Sequence, residues 1–143
     1  MNNIIDNKKF KNKKIRIMTV EEVIKRAKAH GISDLVLKDG RIYNEFSGRK
    51  MTKAQAVNMI NSFVNSANTR KNNEKIRNYI ENVLGIERFN FSSSSSYYRI
   101  NGNVVRVSSH WATSEKYDEP TINTYSSKEN GHVDMIEKIK NLL

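Results

Sequence analysis

The residue types best suited to chemistry lie on either side of one turn signal. Tyr97-Tyr98-Arg99-Ile100 and Asn103-Val104-Val105-Arg106-Val107 flank Asn101-Gly102. Asn-Gly between alternating apolar residues specifies a two-residue type I′ hairpin, because both central residues need positive φ. The register follows: Ile100 pairs with Asn103, Tyr98 with Val105 and Ser96 with Val107. A strand's period of two then puts Tyr98, Ile100, Val105 and Val107 on a core face. The opposite face gathers Ser95, Tyr97, Arg99, Arg106 and Ser108, with His110 one step further on. Two guanidinium forks among hydroxyls and an imidazole suit a phosphate or a carboxylate. Tyr97 offers a ring on which a base can stack. The same set admits metal-independent RNA cleavage, with His110 as acid/base, Arg106 as anion clamp and Tyr97 beside them. On an ordinary solvent-facing strand pair these side chains would add only small cross-strand packing terms.

Other chemistries find less support. Ser94 or Ser108 with His110 has no carboxylate in the same element to complete a hydrolase triad. His30 ends a helical stretch, where a cation complements the helix dipole. His132 sits near the start of the last helical stretch, on the expected surface. Three scattered histidines without carboxylate spacing do not form a metal site. The absence of cysteine excludes a disulfide framework and a thiolate-bound metal. No glycine-rich phosphate loop occurs, so no cofactor is expected. Trp111 reads as a core or rim residue.

Charge supplies the second signal. The 143 residues carry 25 Lys and Arg against 15 Asp and Glu, a net +10. Half of the excess lies in residues 1–16, where Lys8, Lys9, Lys11, Lys13, Lys14 and Arg16 face Asp6 alone. This segment reads as a flexible basic arm suited to nucleic acid, an acidic protein surface or anionic lipid, or as a solvated tail. The hydrophobic fraction of 37% and the single proline, Pro120, suit a small core under a polar surface. No apolar run approaches a membrane span, and residues 1–14 lack a signal-peptide core, so the expected location is the cytoplasm.

The elements that hold these residues are legible from capping and period. Thr19 with Glu22, and Thr52 with Gln55, form capping boxes. A first helix spans about 20–30, closed by Gly31. A hairpin at 35–43 turns at Asp39-Gly40. A second helix runs to about 67, and the polar run Asn68 to Asn73 joins it to a third at about 72–84, closed by Gly85. Strands follow at 86–91 and 97–107, then a polar loop at 112–120, a strand at 121–125 and a C-terminal helix. The expected fold is α+β, a mainly antiparallel sheet of hairpins packed with about four helices. Residues 17–143 form one domain or two packed halves meeting near Gly85.

The segment Ser95-Ser96-Tyr97 followed by Val105-Arg106-Val107-Ser108-Ser109-His110 resembles a pattern of small phage and mobile-element proteins, Ser-x-Tyr then Arg-aliphatic-Ser-Asp-His. Ser109 stands where that pattern has Asp. Size, Lys/Asn/Ile-rich composition and the basic arm also resemble phage anti-defence proteins, including anti-CRISPR proteins. The resemblance implies a non-enzymatic inhibitor of a nucleic-acid-targeting defence complex in a bacterial host. Its net positive charge implies binding to RNA, DNA or a ribonucleoprotein rather than imitation of DNA.

Overall fold

The computed structural model describes residues 18–112 and 116–143. Its packing divides the chain into two compact units, Met1–Ser62 and Phe63–Leu143, and the boundary falls inside a helix rather than at Gly85. The expected basic arm lies outside the described residues.

In the first unit, α1 (Val20–Ala29) begins where the Thr19 hydroxyl accepts the Glu22 N–H at 3.1 Å. It ends in a Schellman motif. Gly31 adopts φ +77°, Ile32 N–H donates to Ala27 O and Gly31 N–H donates to Lys28 O. Buried Val23, Ile24 and Ala27 face inward. Strands β1 (Leu35–Lys38) and β2 (Arg41–Asn44) join through Asp39 and Gly40, both at positive φ. A short strand not anticipated from sequence, β3 (Lys50–Met51), completes an antiparallel sheet of order β1-β2-β3. The Asn44 side chain makes its approach by accepting the N–H groups of Phe46 and Ser47. Two residues are too few to show a period.

Helix α2 (Lys53–Asn78) starts with a reciprocal capping box between Thr52 and Gln55. It runs without a break through Asn68 to Asn73, so the expected second and third helices are one. The polar run that looked like a connection is instead partly buried: Thr69, Asn72 and Asn73 are nearly inaccessible. Asn72 explains why. Its amide donates to Ser126 O at 3.0 Å and Lys128 O at 2.8 Å, and its carbonyl accepts His132 N–H at 3.1 Å. Asn68 adds a bond to Ser127 O. Beyond Asn78 the helix widens into a π-turn, Tyr79–Val83, where Leu84 N–H reaches Tyr79 O.

The four-stranded sheet has the order β4-β5-β6-β7: β4 (Asn90–Phe91), β5 (Ser95–Ile100), β6 (Asn103–Ser108) and β7 (Thr121–Asn123). The first three pair antiparallel, but β7 lies parallel to β6, so this sheet is mixed. Helix α3 (His132–Lys140) follows. Among the described residues there are thus three α-helices, not about four. None is long and apolar enough to cross a membrane. The core of the second unit joins Ile76 and Ile80 of the α2 segment and its π-turn, Tyr98, Ile100, Val105 and Val107 of the sheet, and Ile139 of α3.

The first residue of α3 therefore takes its cap from Asn72, sixty positions earlier, since Gly131 offers no side chain. A Cβ at Gly131 would lie 2.0 Å from Ser126 Oγ. Asn72→Ala strips three hydrogen bonds to the main chain and a contact with the His132 ring from a buried site, and should lower unfolding free energy by about 2–4 kcal/mol in urea denaturation. Asn68→Ala, with one part-buried bond, should cost less than about 1.5 kcal/mol.

Buried Tyr98 donates its hydroxyl to the Glu81 carboxylate on the π-turn. Burial first, and Glu81 second, push its pKa well above the ordinary value near 10. A phenol with a raised folded pKa contributes its full stabilisation below its unfolded pKa and loses it as pH rises above. Stability should therefore fall as pH climbs past about 10, less steeply in Tyr98→Phe, as read from denaturation midpoints across that range.

Candidate functional site

The β5–β6 register has Ser95 opposite Ser108, Tyr97 opposite Arg106 and Arg99 opposite Val104, with Ile100 and Asn103 flanking the turn. Asn101 (φ 51°) and Gly102 (φ 80°) supply the two positive-φ positions of a type I′ turn. The residues singled out from sequence do share one face. That face divides into two environments.

One half is closed. Ser108 is only 1% exposed and Ser95 is buried as well, with their hydroxyls 2.7 Å apart. Ser108 Oγ also accepts His110 N–H at 3.1 Å. The Arg106 guanidinium donates to His110 O at 2.8 Å, Asn123 Oδ1 at 3.2 Å and Ser95 Oγ at 3.4 Å. Ser108 therefore does not present a hydroxyl to a ligand, and Arg106 braces β5, β6 and β7. His110 joins this network through its main chain, while the residue itself is exposed beyond the end of β6. Arg106 meets the carbonyl of His110 rather than its imidazole.

The other half is aromatic, with half-buried rings beneath exposed cations. Phe89, Tyr97 and Tyr117 form a three-ring cluster, with centroids 5.1 Å apart for Phe89–Tyr117, 5.4 Å for Tyr97–Tyr117 and 6.5 Å for Phe89–Tyr97. The rings are tilted or edge-on to one another, the arrangement their quadrupoles favour. Cations lie over the ring faces. Arg99 Cζ stands 3.8 Å from the Phe89 centroid, and Lys116 Nζ stands 5.3 and 5.6 Å from those of Tyr97 and Tyr117. Arg99 also donates to Glu119 at 2.8 Å. Asn90 Nδ2 holds the Tyr117 hydroxyl at 2.6 Å. On the other face of the sheet, where Phe91 pairs with Ser96, Arg88 stacks 4.2 Å over Phe91, itself 63% exposed.

Sequence reasoning found Tyr97 and Arg99 but missed Phe89, Phe91, Arg88, Lys116 and Tyr117. Phe89 lies just before β4, and alternation gives no signal for it, since Asn90 is the residue that pairs with Tyr97. No local signal marks Tyr117, which sits in a polar loop. It reaches the cluster because parallel pairing of β7 carries the preceding loop back along β6, where Val104 N–H donates to Pro120 O at 2.8 Å.

The remaining candidates are placed as follows. His30 is the C-cap of α1. His132 is half-buried at the start of α3, and burial together with nearby Lys75 lowers its pKa. Trp111 is exposed. Lys8, Lys9, Lys11, Lys13, Lys14 and Arg16 lie outside the described residues. No group of three or more His, Asp or Glu side chains among the described residues could hold a metal ion. No family model, curated protein or solved structure matches the chain.

Because Arg106 bridges three strands, its removal should register in stability. Arg106→Met keeps the aliphatic stem and should cost about 1–3 kcal/mol in urea denaturation. Lys116→Met, at an exposed position, should stay within about 0.5 kcal/mol of the parent.

Proposed function

We propose that the protein is a non-enzymatic binder of single-stranded nucleic acid, free or within a ribonucleoprotein, and that it acts as a phage-type inhibitor of a bacterial nucleic-acid-targeting defence complex in the host cytoplasm. The observation that carries the binding reading is the Phe89–Tyr97–Tyr117 cluster with Arg99 and Lys116 on its ring faces. Bases stack on aromatic rings irrespective of sequence, and adjacent cations neutralise the phosphates between them. Lys8, Lys9, Lys11, Lys13, Lys14 and Arg16 add charge for encounter.

The inhibitor reading rests on the resemblance around Ser95 to His110. That motif has a physical rationale in this chain, since its Ser, Arg and Ser are Ser95, Arg106 and Ser108 of the network that locks β5 to β6.

The test is fluorescence anisotropy with a labelled oligouridylate. Affinity should fall about tenfold or more between 50 and 200 mM salt, because several condensed counterions are released on binding. Tyr97→Ala should weaken binding by about 1–3 kcal/mol, the worth of one stacked base. Affinity that is flat in salt, or unchanged in Tyr97→Ala, would overturn this assignment. RNA incubated with excess protein in EDTA should remain intact.

A further inference from the structure

We propose that the open edge of β1 takes up an extended acidic peptide from a partner protein as an added strand. The site lies wholly within the first unit and is independent of the nucleic-acid reading. The hairpin phase decides which backbone groups are free. In a two-residue hairpin the residues flanking the turn, Lys38 and Arg41, exchange main-chain bonds. Alternation gives the same role to Val36 with Tyr43, and the Glu45 N–H bond to Asp34 O at 2.7 Å continues that phase. Leu35 and Leu37 therefore direct their N–H and C=O groups away from β2. Among the described residues β1 is the outer strand of the order β1-β2-β3, so those groups face an edge that no described strand covers.

An unpaired edge is a template for another chain. What distinguishes this one is its setting. Between β1 and α1 runs an open groove of about 720 Å³. Ile24, Ile32, Leu35 and Leu37 give it an apolar lining. Leu37 is 37% exposed, whereas Leu35 beside it is 1% exposed, so apolar surface is available at the edge itself. Strand addition uses such a pairing of features: main-chain bonds give affinity, and pockets for alternate side chains give specificity.

The charge of the rim selects the occupant. Exposed Lys25 and Lys28 line the groove against Glu21. An extended segment that alternates apolar and acidic residues puts the former on the lining and the latter towards the lysines. A segment as lysine-rich as residues 8–14 would instead bring lysines against lysines, an unfavourable juxtaposition.

The experiment is anisotropy of the full chain with a labelled octapeptide of alternating Glu and Val, beside one of alternating Lys and Val. The acidic peptide should bind at least about tenfold more tightly. Methylating one alternate set of its amide nitrogens should abolish uptake, and methylating the other set should not, because only one set faces β1. Lys25→Glu with Lys28→Glu changes exposed residues only and should weaken binding about tenfold or more. Leu37→Pro removes an outward donor and no bond to β2, and should also block uptake while the circular dichroism spectrum is kept. Equal affinity for the two peptides would overturn the proposal. So would equal effects of the two methylation patterns, no uptake at millimolar peptide, or self-association that Leu37→Pro abolishes without any peptide binding.

Discussion

The backbone at Asn101 and Gly102 has to reverse within two residues at positive φ, and much of the second unit depends on that constraint. A type I′ turn matches the twist of the strands it joins and allows a single register. A slip of one residue would move Tyr98, Ile100, Val105 and Val107 off the core and replace them with Tyr97, Arg99 and Arg106. Two consequences follow from one turn. The apolar face packs on Ile76, Ile80 and Ile139, and the polar face receives both the bracing network and the ring cluster.

That polar face illustrates the cost of burying hydrogen-bonding groups. Ser95 and Ser108 lose water and must satisfy each other, and Arg106 stabilises Ser95 while tying in His110 and Asn123. Asn72 solves the same problem on α2 with three backbone partners from the segment 126–132 and the His132 ring beside them. In both places polar residues act as specific fasteners. An apolar side chain of similar size could fill the space but could not fix which strand or loop lies there.

Features encoded over a few residues were legible in the sequence. Both positive-φ turns, the Thr52–Gln55 capping box, the Thr19 N-cap, the Gly31 stop and the β5–β6 register depend on neighbours in the chain and occur as read, although Glu22 meets the Thr19 hydroxyl rather than its N–H. Features decided by distant partners were not. The polar run Asn68 to Asn73 carries no helical apolar stripe, yet bonds to residues 126, 127, 128 and 132 keep it helical. The direction of β7 depends on the path of the loop before it, which no period reveals. The site shows the same division. Tyr97 and Arg99 were found because the hairpin is local, whereas Tyr117 joins them only through the parallel return of β7. Ser108 and Arg106 looked like ligand groups because residue type does not show that their polar atoms are already satisfied.

Charge and aromatic surface are unequally shared along the chain, and their ranges differ. Fourteen of the 25 Lys and Arg, but only six of the 15 Asp and Glu, fall in residues 1–62, leaving the rest nearly balanced. At physiological salt, charge acts over roughly 8 Å, so it raises encounter rates and binds polyanions with little discrimination. The ring cluster acts only at contact. On the proposed reading, net charge governs how often a nucleic acid arrives, and the rings govern how long it stays. Selection of a partner belongs to the second step, because dissociation rates vary far more among related complexes than association rates do. On that reading the hairpin's contribution to selection comes from Tyr97 and Arg99 with the rings around them, while Arg106 keeps the strands in place.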